Sequence, residues 1–443
     1  MEVKQLSSSL KNTCEIIYKI MLFLAVFDGI RSRTPIADYV TVFKEVSTFS
    51  LLTIILLTYV RSINKNILYY SNIFFIIYLV VLGTFVILFN DVSRSLLPMF
   101  TRKELPTPFA MHFKNIESFV VVFVLIHYEQ ITGRKINSIL KYFVNLCVGY
   151  VLFTLLIYFK FPNSTFFQTP WYGRISIGYP TSDGQILSFA LAYLVFSNLV
   201  INGVLKIIFL IILIIGIVMN ATATGLLSIG LILFVYTLYY FISGKVIFVF
   251  SIKSLFYMVT IISIIFITKL VVEGLNDKMG NYPTLLDSKI GFITNKISSS
   301  LWETNSISSD IDIDFSEKLR SNQIEQAFYF NKDLASLALG GPISLGTLIE
   351  NENYFLIRSY GYLGFILYYS WLALLFYVAF RKIKYEYARV LLVAIGILVI
   401  TNSAIATTYL YGVAVSFGLF VAYYYNRSND DNDYKVQLNE SIV

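Results

Sequence analysis

The sequence contains few charged residues. Asp, Glu, Lys and Arg make up 14% of the chain, against about 25% in an average soluble protein. Hydrophobic residues make up 57% and aromatic residues 17%, and the mean hydropathy is +0.70. This composition excludes a soluble protein of 443 residues, and it predicts a chain that crosses a membrane many times.

Cysteine and histidine are also scarce, with two of each. Cys14 and Cys147 lie in apolar segments, which argues against a disulfide framework. His112 and His127 lack the spacing of a zinc site, and no glycine-rich loop followed by lysine is present. The acidic run SSDIDIDF lacks the glycine and the final glutamate of a calcium loop. We therefore expect no metal, nucleotide or other cofactor.

The apolar sequence divides into segments of about 20 residues, the length that crosses the hydrocarbon core of a bilayer. Most charged residues fall in the short loops between these segments. We predict an all-α polytopic membrane protein with about twelve transmembrane helices, at roughly 12–30, 40–60, 67–89, 114–130, 138–160, 184–200, 204–220, 222–243, 253–272, 356–380, 388–407 and 409–426.

The predicted organisation has spans one to nine in residues 1–272, a large outward loop with short helices at 273–355, spans ten to twelve in 356–426, and a tail at 427–443. Basic residues in the short loops favour a cytoplasmic location for both termini. The first span is expected to direct insertion without a cleaved signal peptide. The net charge of +7 is spread over many loops, so membrane orientation is favoured over nucleic-acid binding.

The predicted outward loops also carry cations, against the usual trend, and Arg174, Arg320 and Arg358 are among them. Acidic residues in the same loops balance these charges, or else the arginines bind an anionic substrate, because guanidinium groups pair bidentately with phosphate oxygens. Structural alternatives also stand. Arg174 could extend its guanidinium to the lipid headgroups. Arg320 could be an ordinary charged residue of a solvated helix, and Arg358 could anchor the tenth span at the membrane interface.

The longest polar stretch runs from about residue 273 to 354 and ends in ENENYFLIRSYGYLGF, where the tenth span begins. Glu350 and Glu352 lie at the mouth of that span, where an ionisable group is a candidate for chemistry. The structural alternative is a helix start, since acidic residues near a helix N-terminus are favoured by the helix dipole.

The pattern resembles the O-antigen ligase and polymerase superfamily, and within it most closely the Wzy-type O-antigen polymerases. About twelve spans, one large outward loop before the tenth, and the segments YGRISIGYPTSDGQ and ENENYFLIRSYGYLGF carry the resemblance. Arg174 stands where the family has an arginine, followed by Gly178 and Pro180 in the turn.

The second segment departs from the ligase pattern. Glu350-Asn351, or Glu352-Asn353 with a small shift, stands where ligases have His-Asn. The absence of histidine there argues against a ligase and for a polymerase. The family's arginine turn between the seventh and eighth spans is Ala-Thr-Gly at residues 223–225, so no role for an arginine is carried over to that turn.

The resemblance implies metal-independent glycosyl transfer on the periplasmic face of the bacterial inner membrane. A growing glycan leaves its undecaprenyl diphosphate carrier and joins a sugar hydroxyl of the next repeat unit. The implied base is Glu350 or Glu352, and Arg174, Arg320 and Arg358 bind the diphosphate leaving group. The implied partners are the lipid-linked glycan donor and acceptor and membrane lipid. A chain-length regulator and a flippase are further candidate partners, and no nucleic acid is expected.

The main alternative function is a flippase or another secondary transporter of lipid-linked oligosaccharide, and an O-antigen ligase is a further one. Transporters often contain paired half-repeats with broken helices at matching positions. Here the single large loop has no counterpart near spans three and four. A membrane scaffold without catalysis leaves the outward arginines unexplained, so a polymerase of O-antigen or a similar surface polysaccharide is favoured.

Overall fold

The protein is helical throughout the residues that the structure describes. The structure is a computed structural model, and it describes residues 7–29, 37–58, 67–89, 108–161, 175–178, 180–197, 203–220, 222–242, 334–340, 351–403 and 410–440. The helices within these ranges are α1 Ser8–Val26, α2 Ala37–Thr58, α3 Ile67–Phe89, α4 Pro108–Ile126, α5 Tyr128–Thr132, α6 Ile136–Lys160, α7 Pro180–Phe196, α8 Gly203–Met219, α9 Ala223–Ile242, α10 Leu334–Leu339, α11 Glu352–Arg381, α12 Glu386–Asn402 and α13 Tyr411–Glu440.

Several of these helices are suited to crossing a membrane. Among the described residues, four are long and apolar enough to do so, and they fall in α2, α3, α6 and α11. Eleven of the predicted spans overlap a described helix, whereas the ninth, at 253–272, lies outside the described residues. The described chain is thus helical, with helices suited to spanning a membrane, and the count of twelve stays a prediction.

The outer helices bury one face and expose another that is equally apolar. On α1, Cys14, Tyr18 and Leu22 are buried and follow one another at four-residue spacing. Ile16 and Phe23 on the other side are 58% and 45% exposed. Exposed apolar surface of this kind is typical of helices that face lipid.

Three helices occupy the centre of the bundle. The side chains of residues 117–128 in and after α4, 182–194 in α7 and 411–426 in α13 are all buried. A helix that is apolar on every side is stable only where other helices or lipid surround it. Accordingly, α13 packs against α1, α4, α6, α7 and α12, and it continues as a helix beyond the predicted end of the last span at 426.

One end of the bundle is joined by contacts around Glu15, and we call it the Glu15 end. Arg134, between α5 and α6, lies 2.5 Å from Glu15 on the first half of α1. The Asn426 side-chain amide of α13 donates to the Ile126 carbonyl just before α5, at 3.4 Å. One turn earlier on α13, the Tyr423 hydroxyl donates to Glu386 at the start of α12, at 2.6 Å. The Glu15 end therefore contains the start of α1, α6 and α12 and the last apolar turns of α13.

The opposite end is joined by contacts around Asp28, and we call it the Asp28 end. Lys44 of α2 lies 2.6 Å from Asp28, just after α1. The Thr48 hydroxyl of α2 lies 3.1 Å from that of Tyr411, at the start of α13. The starts of α2, α4, α7, α11 and α13 all lie at the Asp28 end.

Candidate functional site

The candidate site lies at the start of α11, at the Asp28 end. The backbone of α11 is broken at Gly361, where φ is 65° and ψ is −175°. This break separates a short helix, residues 352–360, from an apolar helix of roughly 20 residues that is long enough to cross a bilayer. Glu352 and Arg358 both belong to the short helix. The two described site residues therefore precede the membrane-length part of α11.

Two glycines allow α10 to pack directly against this break. Gly340 has a φ of 99° and Gly361 a φ of 65°, a region that residues with a Cβ rarely adopt. A Cβ at Gly340 would lie 2.5 Å from the Ser359 carbonyl oxygen, and one at Gly361 would lie 2.3 Å from that of Ala338. Residues 338–340, at the end of α10, thus contact the candidate site through a close backbone approach that requires glycine.

Glu352 is completely buried in the first turn of α11. Its neighbour Asn351 caps the helix, because the side-chain oxygen accepts from the backbone N–H of Asn353 at 2.9 Å. The Asn351 amide also donates to the Ser403 carbonyl just after α12, at 3.0 Å. An acid in the first turn, as Glu352 is, is favoured by the helix dipole. Its burial places the Glu352 carboxylate inside the bundle.

Arg358 is the second charged residue of the short helix, and it is only 4% exposed. It lies six positions after Glu352, so the two side chains leave the helix about 120° apart. An interfacial anchor keeps its charged head in water. The burial of Arg358 therefore argues against the anchoring alternative.

Tyr360 connects the short helix to α4. Its buried hydroxyl accepts from the Asn115 side-chain amide at 2.9 Å, and it lies 3.0 Å from His112 Nδ1. These contacts use the first turns of α4, again at the Asp28 end. The orientation of the short helix is therefore set by α4 on one side and by α10 and the end of α12 on others.

Three of the predicted site residues, Arg174, Arg320 and Glu350, lie outside the described residues. Residues 175–178, directly after the first of them, are described. The Ile175 N–H donates to the Met219 carbonyl at the end of α8, at 3.0 Å.

Asp183 is a buried acid at the Asp28 end that the sequence interpretation missed. It is 4% exposed. One of its oxygens, Oδ2, accepts from the hydroxyls of Tyr150 and Ser176, each at 2.5 Å, and from the Gly178 N–H at 3.2 Å. This carboxylate therefore holds the segment that follows Arg174 against α6 and α7. The signal in the sequence was an acid placed directly before an apolar run, in TSDGQ.

A second missed feature is a cavity of about 60 Å³ between α1, α2, α4 and α13, which we call the charged cavity. The charged side chains that line it are Asp28, Lys44, Glu45, Lys114 and Glu117. Lys44 is nine-tenths buried, bonds to Asp28 at 2.6 Å and lies 4.9 Å from the centre of the Tyr411 ring. The signal here was the presence of charges inside the second and fourth predicted spans.

No family model and no curated protein matches this chain. The family resemblance rests on the span pattern and the two motifs alone. Within the described ranges, no three His, Cys, Asp or Glu side chains are placed to hold a metal ion. What the start of α11 offers is a buried carboxylate and a buried guanidinium, groups that accept a proton and stabilise a developing negative charge respectively.

Proposed function

We propose that the chain is a polymerase that joins lipid-linked oligosaccharide repeat units into O-antigen or a similar surface polysaccharide. The observation that supports this most is the burial of Glu352 and Arg358 on the short helix before the break at Gly361. A base and a cation held at one end of the bundle suit a glycosyl transfer that needs no metal. In this proposal the Asp28 end faces the periplasm and the protein resides in the bacterial inner membrane, with both termini cytoplasmic.

In the proposed reaction, the bond between the anomeric carbon of the donor glycan and its diphosphate breaks. A hydroxyl oxygen of the acceptor sugar forms the new bond to that carbon, and its proton passes to Glu352 or to Glu350. Undecaprenyl diphosphate leaves with the bonding electron pair. Arg358, together with Arg174 and Arg320, stabilises the charge that develops on the leaving group.

The low dielectric around Arg358 supports this role. A buried cation attracts an approaching anion more strongly than a cation in water does. Removing one preorganised group that stabilises a transition-state charge typically lowers the rate by about 10²–10³. We expect that Arg358→Gln and Glu352→Gln each nearly abolish polymerisation.

The test is the gel ladder of envelope glycan from a strain that lacks this gene. Complementation with the native chain should restore the ladder, and the two variants should leave a single repeat on the lipid A core. Arg381→Gln is a matched control, because Arg381 is an exposed arginine at the other end of the same helix. A full ladder with both variants would refute the assignment of these residues.

The same deletion strain separates the alternatives. If no repeat reaches the core and polymer accumulates on the lipid carrier, the protein is a ligase. If single units accumulate on the carrier inside the cell, it is a flippase. Only single repeats on the core, with the ladder lost, support the polymerase.

A further inference from the structure

The charged cavity is separate from the start of α11, although both lie at the Asp28 end. His112 and Asn115 of α4 face Tyr360 of α11, whereas Lys114 and Glu117 line the charged cavity. By helical geometry these two pairs of side chains leave α4 on roughly opposite sides. The two sites are therefore about one helix diameter apart, roughly 10 Å.

One carboxylate oxygen of Glu117 is free to accept a hydrogen bond within the described part of the chain. The residue is 6% exposed, and its Oε1 atom is buried and accepts no hydrogen bond from the described residues. A buried carboxylate oxygen without a donor is costly, and such groups in proteins are nearly always hydrogen-bonded. The carboxylate therefore suits a ligand that brings a donor to it.

The charges of the charged cavity restrict what that ligand can be. Three carboxylates and two ammonium groups line it, so a phosphate or carboxylate would meet a majority of like charges. A cation would meet Lys114 and Lys44, and Lys44 already pairs with Asp28. A neutral hydroxyl suits both kinds of group, because it donates to a carboxylate and accepts from an ammonium.

The size of the charged cavity narrows the choice further. A volume of about 60 Å³ corresponds to about four to six water molecules. That space is too small for a whole repeat unit and suits the hydroxylated edge of one sugar ring. Ser118 and Thr41 add two further hydroxyl groups to the lining.

We propose that the charged cavity is a subsite for the hydroxylated edge of a neutral sugar, with Glu117 accepting a hydrogen bond from a sugar hydroxyl. That the sugar belongs to a lipid-linked repeat unit rests on the proposed function. The position of the subsite, across α4 from the short helix, suits a glycan that extends away from the site of transfer. Glu117 acts here as a binding residue and takes no part in the chemical step.

Binding of sugars to the purified full-length chain in detergent micelles tests this proposal. The probes are the methyl glycosides of glucose, galactose, mannose, rhamnose and N-acetylglucosamine, observed by saturation-transfer NMR. At least one should bind to the native chain. Glu117→Gln should weaken that binding roughly tenfold or more, since a hydrogen bond to a charged acceptor is replaced by one to a neutral acceptor.

Thr41→Val is a second variant that keeps the side-chain shape and removes one lining hydroxyl, so it should weaken the same binding severalfold. It covers the case in which Glu117→Gln fails to fold, which size-exclusion chromatography would reveal. Glu386→Gln is the matched control, a carboxylate at the Glu15 end that accepts from Tyr423, and it should bind like the native chain.

Absence of binding to the native chain, or equal binding by the native chain and both cavity variants, would overturn the subsite. Failure of the proposed function gives a different result. If the gene deletion leaves the glycan ladder intact while Glu117→Gln loses sugar binding, the subsite stands and the polymerase does not. If the deletion abolishes the ladder while the variants keep sugar binding, the polymerase stands and the subsite does not.

Discussion

Replacing Gly361 by alanine should disrupt the structure on which the candidate site depends. Alanine at a φ of 65° and a ψ of −175° costs about 1–3 kcal/mol of backbone strain. Its Cβ would also lie 2.3 Å from the Ala338 carbonyl oxygen. Relieving this clash by moving α10 costs about 1–3 kcal/mol more. We expect Gly361→Ala to destabilise the protein by roughly 2–6 kcal/mol.

The assay is the apparent unfolding temperature of the purified chain in detergent, measured at one fixed heating rate because unfolding of such proteins is commonly irreversible. Gly149→Ala is the matched control. Gly149 lies within α6, and a Cβ there has no neighbour within 4 Å. Alanine is favoured over glycine in a helix by about 0.5–1 kcal/mol, so this control should unfold at the native temperature or slightly above it.

Gly361→Ala should unfold several degrees below the native chain and should also shorten or abolish the glycan ladder, because the short helix carries Glu352 and Arg358. If Gly361→Ala and the native chain unfold at the same temperature, the backbone break does not constrain the structure as described. Equal destabilisation by Gly149→Ala would show that any added methyl group is harmful, which would equally refute the reasoning.

Three further predictions concern the Asp28 end. Asp28→Asn should lower the unfolding temperature, because the 2.6 Å bond from nine-tenths buried Lys44 goes to a charged group and is worth about 1.5–3 kcal/mol. Tyr150→Phe should destabilise the protein by a similar amount of about 1.5–3 kcal/mol, since it removes a donor to buried Asp183. Leu334→Cys, at a position 84% exposed on α10, should react with a membrane-impermeant maleimide in intact spheroplasts.

The Tyr150→Phe and Leu334→Cys predictions have matched controls. Tyr39→Phe removes a hydroxyl from a side chain that is 69% exposed and should leave the unfolding temperature unchanged. Cys14 and Cys147 are fully buried, so the native chain should label weakly. Lys384→Cys, an exposed position at the Glu15 end, should label only after lysis. The reverse labelling pattern would show that the proposed topology is inverted. Unchanged unfolding temperatures would show that the Lys44–Asp28 and Tyr150–Asp183 hydrogen bonds contribute little to stability.

The helical class and most helix positions were predictable because the length and hydropathy of a membrane span are local properties of the sequence. The boundaries shifted by a few residues, as at α7, which begins at Pro180 rather than at 184. The break in α11 was harder to predict from the sequence. Glycines at 361 and 364 were visible in the sequence, but the positive φ of Gly361 and the close approach of Ala338 to it depend on tertiary packing.

The charged cavity could not be predicted from the sequence, although its charges were visible. Asp28 and Lys44 are 16 residues apart, but Glu117 and Tyr411 are distant from them in the chain, and only the packing of α1, α2, α4 and α13 brings all four together. Among the predicted site residues, Glu352 and Arg358 proved buried at the same end of the bundle. The roles assigned to them stay predictions.

The most direct test of the account is polymerisation by the purified chain in liposomes, supplied with undecaprenyl diphosphate-linked repeat units from its own host. We expect the native chain to lengthen these units into a ladder in the presence of a metal chelator and without added nucleotide, and we expect Arg358→Gln not to do so. Failure of the native chain to lengthen them, or an equal ladder from Arg358→Gln, would contradict the account.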